Sequence, residues 1–310
     1  MPSMNNYHAF MLNIQSELPF PELFASTEPR SDDLNKITIK FGEVSSHGLD
    51  ELKQAGGPFY QATKKSLWLN VPNVARFLIT NGNQIIIDAF AGIDQDSLRV
   101  FILGSCMGAL LMQRDLFLLH GNAIKVGNHC VSFVGPSGIG KSTLSGGFFK
   151  RGYSILADDV CVVSKDGCVM PSFPQIKLWF DAATFLSIDT QSLRRIRPCL
   201  EKFAVPLAQQ FHHEALPLRV VYVLQTHNKD EFSFTNVNGM QKLQPLQNNI
   251  YRKNYLKSMD KSSMSFKQCA QIASQTNVVR IARPNDGFKL DKLIDLIEDD
   301  LVKQERHHAS

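Results

Sequence analysis

The most constraining feature of the chain is an eight-residue run, Gly135-Pro136-Ser137-Gly138-Ile139-Gly140-Lys141-Ser142. It matches G-x-x-x-x-G-K-[ST] in full. The apolar segment Cys130 to Val134 precedes it and reads as a strand, and Ser142-Thr143-Leu144 opens a helix. Strands mixed with helices around such a loop predict an α/β fold. Each residue type has a physical task. The glycines allow a tight backbone whose N–H groups turn inward onto phosphate oxygens. The helix start adds the positive end of its dipole. Lys141 is a point charge able to reach β- and γ-phosphates. The Ser142 hydroxyl suits Mg²⁺, a cation that prefers oxygen ligands. Residues 135–143 are therefore the expected nucleotide-binding segment, with ATP and Mg²⁺ as cofactors and Lys141 also serving the chemistry.

Asp158 and Asp159 follow the apolar strand Tyr153 to Ala157. The helix after the loop runs ~15 Å away from it at 1.5 Å per residue. Arg151-Gly152 closes that helix, and the next strand climbs back at ~3.3 Å per residue. In a right-handed βαβ arrangement both strands end on one side of the sheet, which puts both carboxylates beside the loop. Two acids at a metal-phosphate site suggest divided labour: one holds Mg²⁺ and the other takes a proton from an attacking hydroxyl. Neighbours on a straight strand point to opposite faces, so this needs a strand end or a bend. His120, after Leu116–Leu119 and before Gly121, ends a separate strand.

Composition narrows the class. The chain has 310 residues, 44% apolar and 20% charged, which excludes a disordered chain, a collagen and a coiled coil. A net charge of +4 is too mild to be a nucleic-acid footprint. Six singly spread cysteines without C-x-x-C read as reduced thiols of a cytoplasmic protein. Met1 to Phe20 lacks the basic start and apolar run of a signal peptide. Val100 to Met112 is too short for a membrane span, which needs roughly 20 residues. No membrane partner is expected.

Residues 1–112 read as a β-rich α+β region. Ile37–Phe41 and Leu67–Leu69 are short strands, and Arg76–Thr80 and Gln84–Asp88 form a hairpin across Asn81-Gly82. Asp96 to Met112 reads as a buried helix with Gly104, Ser105, Gly108 and Ala109 on one side. From residue 113 the texture changes, so 113–310 is taken as the loop-bearing domain. There Leu116–Leu119 is a strand ending at His120-Gly121, and Ala123–Val126 pairs with Cys130–Val134 as a further hairpin. Leu218–Leu224, Phe232–Phe234 and Val278–Ile281 are later strands. Residues 240–276 and 290–304 are mostly helical. The run Arg194-Arg195-Ile196-Arg197 reads as a solvated face or an acidic-peptide contact.

Leu119-His120-Gly121, the loop 135–142 and Arg151-Gly152-Tyr153-Ser154-Ile155-Leu156-Ala157-Asp158-Asp159-Val160 together resemble the catalytic domain of HPr kinase/phosphorylase. The resemblance covers residues 116–164. It implies a P-loop kinase fold of the HPr-kinase type, like that of phosphoenolpyruvate carboxykinase, and ATP-dependent phosphorylation of a serine hydroxyl. Carried over by position, Asp159 is the general base, Asp158 the metal-side acid together with Ser142, and His120 supports the base. Thr143 stands where that family has an acidic residue and Pro136 where it often has aspartate. Its later segment associated with reversing the reaction is not found. HPr itself and phosphorolysis are therefore not carried over as expectations. Gly135-Pro136-Ser137-Gly138, Pro174–Trp179, Glu201–Pro206 and Asn249–Arg252 are more similar to a divergent branch. Some of its members look like kinases of the C-terminal serine of a lasso-peptide precursor. Lys202 and Arg252 lie in these segments and are candidate phosphate or substrate contacts.

The expected partner is thus a peptide or protein bearing an acceptor serine, captured with help from residues 1–112. The rings formed by HPr-kinase relatives leave a homo-oligomer open. A kinase of small hydroxyl compounds and a non-catalytic nucleotide sensor are the alternatives. The acid pair favours an enzyme over the sensor.

Overall fold

The computed structural model describes residues 4–26, 35–49, 55–57, 59–285 and 287–309. The chain begins with β1 (Asn5–Ala9), β2 (Leu12–Ser16), β3 (Phe24–Ala25), β4 (Lys36–Phe41), β5 (Ala55–Gly57), β6 (Tyr60–Ala62), β7 (Ser66–Val71), β8 (Ala75–Thr80) and β9 (Gln84–Ala89). These nine strands form one sheet in the order β3-β1-β2-β4-β9-β8-β7-β6-β5. The Asn81-Gly82 turn forms where the sequence places it. Its φ values of 54° and 66° belong to the mirror-image turn whose twist suits a hairpin. The hairpin β1–β2, which carries no such signal, was not anticipated.

The expected helix over 96–112 is present with one addition. α1 (Gln95–Phe101) and α2 (Met107–Gln113) are joined by a π-helical turn, Ile102–Cys106. Asp94 caps the start, accepting from the Ser97 N–H at 2.7 Å. The small side of this helix is a seat for one aromatic ring: a Cβ on Gly108 would lie 2.8 Å from Tyr251 Cε1.

The second half runs β10 (Phe117–Val126), β11 (His129–Val134), α3 (Lys141–Lys150), β12 (Ile155–Ala157), β13 (Val160–Val163), β14 (Cys168–Met170), β15 (Gln175–Trp179), α4 (Phe180–Phe185), β16 (Lys202–Pro206), β17 (Leu216–His227), β18 (Ser233–Val237), α5 (Leu243–Asn248), α6 (Lys253–Ser258), α7 (Ser262–Gln275), β19 (Asn277–Pro284) and α8 (Leu290–Ala309). The fold is mixed α/β. β11, β17 and β19 are parallel neighbours, and β18 adds antiparallel at the edge. β15 and β16 form a separate ribbon.

One expectation needs correction. Leu116–Leu119 and Ala123–Val126 are not separate strands, because β10 runs unbroken through His120-Gly121. Its first part pairs with β13 and its second with β11 and β12. Gly121 does not end the strand. It permits a close crossing, since a Cβ there would lie 2.6 Å from the Phe133 carbonyl oxygen. β12 and β11 are both antiparallel to β10, one on each side of it, so they point the same way with β10 between them. The two strands that lead to the loop and to the acids therefore end on one side, as the βαβ reasoning required.

Two apolar clusters hold the halves together. One joins the N-terminal sheet and α1–α2 to β10, β13 and β14, and contains Phe10, Ile39, Leu110, Leu119 and Val162. The other lies under α3 and α8, with Phe133, Phe148, Tyr222 and Ile294. Among the described residues no helix is long and apolar enough to cross a membrane.

Candidate active site

β11 delivers the chain into the glycine loop and α3 carries it away. Gly135, Gly138 and Gly140 have φ of 151°, 81° and 102°, values that side chains rarely adopt. A Cβ on Gly135 would also meet the Leu224 carbonyl oxygen at 2.8 Å. Ser137 and Gly138 form the exposed tip, and Ile139 accepts from Arg283 Nη2 at 3.3 Å. Lys141 is buried. Its ammonium donates to the carbonyls of Gly135 at 2.8 Å and Pro136 at 3.1 Å, bending back over the loop. Burial lowers its pKa, and the charges of Asp159 and Asp158 oppose the shift.

The two acids sit between β12 and β13. The Val160 N–H donates to the Asp158 carbonyl at 2.9 Å, across Asp159 at φ 73°. This is the rare γ-turn with positive φ, a strained form that functional sites retain. It supplies the bend that two convergent neighbours need. Asp158 is buried among neutral donors: Asn122 Nδ2 at 2.7 Å, Ser142 Oγ at 3.2 Å and the Lys177 N–H at 2.8 Å. Burial raises its pKa, against the pull of Lys177.

Asp159 is partly open and lies among cations. Lys177 Nζ is 3.5 Å from Oδ2, and His120 Nδ1 is 3.4 Å from Oδ1. Burial alone would raise its pKa, but Lys177, His120 and Lys202 outweigh it and hold the carboxyl below its ordinary value. His120 Nδ1 also lies 3.1 Å from the Asp159 carbonyl oxygen. Both neighbours are acceptors, which assigns the hydrogen to Nδ1. Burial and then the Lys141 charge lower the His120 pKa, favouring the neutral ring.

A cavity of about 790 Å³ opens beside this pair, walled by His120, Gly135, Asp159, Tyr251, Arg252 and Arg280 among others. Arg252 lies at the start of α6 with φ 46°. Its Nη2 is 2.6 Å from Ser105 Oγ, and its guanidinium lies 5.8 and 5.6 Å from the Tyr251 and Tyr255 ring centres. Lys202 is not on that wall. It sits across the β15–β16 ribbon with its ammonium 5.5 Å over the Trp179 ring, and its charge is felt at Lys141, Asp158 and Asp159.

The structure thus brings Lys141, Ser142, Asp158, Asp159 and His120 together, with Arg252 on the cavity wall and Lys202 behind. Sequence reasoning missed Lys177 and Asn122. The available signal was a single polar residue inside an apolar strand in each case. The basic run turns inward instead of facing solvent: Arg194 pairs with Glu22 and Asp96, and Arg197 lies 5.4 Å from the Phe101 ring centre.

No family model matches the chain, and no curated protein matches it. Among solved structures, it is similar to the Hpr(Ser) kinase/phosphatase from Coxiella burnetii at 14% identity and a TM-score of 0.29. The match covers 61% of this chain and 98% of that one. A likeness at that level decides nothing about function, which has to be argued from the side chains.

Proposed function

We propose that the chain is an ATP-dependent kinase that transfers the γ-phosphoryl group to a serine hydroxyl of a peptide or protein. One observation carries this reading. Adjacent acids serve two places at once, Asp158 on the loop serine at 3.2 Å and Asp159 on the wall of the cavity. The donor set fits Mg²⁺, because Ser142 Oγ and Asp158 Oδ1 are hard oxygens already side by side at the loop. When bound, that ion would offset charge on the phosphate oxygens. The loop amides and Lys141 would hold the triphosphate.

Asp159, fixed by Lys177 and His120, accepts the hydrogen of the acceptor hydroxyl and aligns its oxygen. A bond forms from that oxygen to the γ-phosphorus while the bond to the bridging oxygen breaks. ADP leaves and the proton passes to the Asp159 carboxylate. Arg252 and Lys202 supply positive charge near the transferring group.

The narrowest form of the proposal takes the C-terminal serine of a lasso-peptide precursor as acceptor. It rests on the resemblance of segments 174–179, 201–206 and 249–252, with residues 1–112 helping to hold the peptide in the cytoplasm. The test is incubation with γ-labelled ATP, Mg²⁺ and serine peptides, including such a precursor, with mass spectrometry to locate the label. Label on the terminal serine supports the narrow form. Label only on internal serines keeps the kinase and removes the lasso acceptor. Label only on a metabolite makes it a small-molecule kinase. ATP binding without transfer to any acceptor removes the enzyme.

A further inference from the structure

Asp159 has a partner on each oxygen, and one of the two is a lysine that no part of the loop motif requires. We propose that Lys177 is a positioning residue for Asp159, braced from the N-terminal hairpin by Phe10. The proposal rests on the kinase reading above.

Lys177 meets both acids in different ways. Its backbone N–H holds Asp158, and its ammonium, on a side chain only 12% exposed, holds Asp159. A four-carbon stem is flexible, so something must restrict where the ammonium points. The Phe173 ring lies beneath it, 5.7 Å from Nζ to the ring centre, and a cation over an aromatic face is attracted to it. Phe173 is buried and meets Phe10 edge-on, with ring centres 6.1 Å apart and planes at 83°.

Phe10 comes from the other end of the chain. It forms the β1–β2 turn with Met11, at φ 53° and 59°. Turns of this mirror-image kind normally carry Asn or Gly, and a bulky aromatic there is a strained choice. The choice makes sense if the ring is needed elsewhere: Phe10 is 1% exposed, driven into the second half of the molecule. Its N–H donates to the Pro171 carbonyl at 2.9 Å. The next residue, Ser172, donates its N–H to the Leu156 carbonyl at 2.8 Å, just ahead of Asp158. The hairpin tip therefore reaches the acid pair by a ring contact and by a backbone path. Small displacements of an acid aligned on a nucleophile are costly to rate.

The experiment uses the full chain, ATP and Mg²⁺, with water standing in for the acceptor. It measures the rate of ADP formation and the Kd of a fluorescent ATP analogue. Lys177→Met is expected to lower kcat by roughly 10- to 100-fold, with nucleotide Kd within about threefold of wild type. Lys177→Arg, which keeps the charge, is expected to recover part of that loss. Phe10→Ala is expected to lower kcat in the same direction, and Phe10→Ala/Lys177→Met to be no worse than Lys177→Met alone. If circular dichroism shows that Phe10→Ala is unfolded, Phe10→Leu takes its place, keeping apolar volume without the edge-on ring. Wild-type kcat in Lys177→Met overturns the proposal. Losses that multiply in the double variant overturn the brace. A wild-type chain that binds no ATP overturns the kinase reading, and the brace with it, whereas ATP turnover unaffected by both substitutions overturns the brace alone.

Discussion

Replacing Asp159 by Asn separates chemistry from binding at this site. Asn has the same shape, and it tolerates the positive φ of 73° that the γ-turn imposes. The substitution removes a charge held 3.5 Å from Lys177 and 3.4 Å from His120. It leaves Lys141 on the loop carbonyls and Ser142 against Asp158 untouched. A positioned general base contributes ~10²–10⁴ in rate, or about 3–5 kcal/mol of barrier, and that is the expected loss of kcat. ATP affinity should stay within about threefold, because no group assigned to the triphosphate has changed. The assay is phosphoryl transfer from γ-labelled ATP to the acceptor found in the peptide screen, with nucleotide binding measured in parallel. Turnover within threefold of wild type would refute the proton-accepting role. An equal fall in ATP affinity would refute the separation, placing Asp159 with the nucleotide-holding groups.

The remaining predictions probe the loop, the seam between the halves and the turn. Lys141→Ala should abolish transfer and weaken ATP binding by about 1.5–3 kcal/mol, the range for hydrogen bonds to a charged group; calorimetric titration checks it, and unchanged affinity rejects it. Glu22→Gln breaks a pair between a 5% exposed carboxylate and an 8% exposed Arg99 at 3.3 Å, with Arg194 also attached. It should cost about 3–5 kcal/mol, roughly 5–8 °C in Tm for a chain of this size, and scanning calorimetry showing no shift would count against it. Gly108→Ala puts a Cβ 2.8 Å from Tyr251 Cε1, an overpacking worth about 1–3 kcal/mol. Because Tyr251 and Arg252 wall the cavity, it should raise the KM for the acceptor and leave that for ATP unchanged. Asp159→Gly and Asp159→Ala should be equally inactive. Gly normally costs about 0.5–1 kcal/mol more than Ala, and here the order of stability by urea unfolding should reverse, because only Gly is at ease at this φ.

The legible parts of the molecule were local. The loop, the helix after it and the strand ending in two acids are consecutive in the chain, so spacing alone places the carboxylates beside the loop. The mirror-image turn at Asn81-Gly82 is written in its two residues. What escaped depends on distant pairing. Lys177 reaches the acids because β15 is brought to them by its N–H bond to Asp158, a contact that no local pattern announces. Asn122 looks like an interruption in an apolar strand until β10 is seen to carry it under Asp158. Gly121 reads as a strand end, yet its lack of a side chain serves a crossing with β11. Phe10-Met11 hides a hairpin because it breaks the turn-residue rule. The arginines at 194 and 197 look solvated because Glu22, Asp96 and Phe101, their partners, lie far back in the chain.

The two acids differ in surroundings, not in type, and that difference assigns their work. Asp158 is enclosed by neutral donors, so burial dominates and its pKa rises. Asp159, one residue on, meets Lys177, His120 and Lys202, and its pKa falls. Pairs of titratable groups pushed apart in this way mark divided roles. A carboxylate held ionised by cations binds a proton weakly, so Asp159 is suited to orienting a hydroxyl and taking its proton late, as a loose phosphoryl-transfer transition state allows. The roles are also not interchangeable. Lys177 grips Asp158 through its backbone and Asp159 through its ammonium, so a swap would require β15 itself to shift relative to the γ-turn.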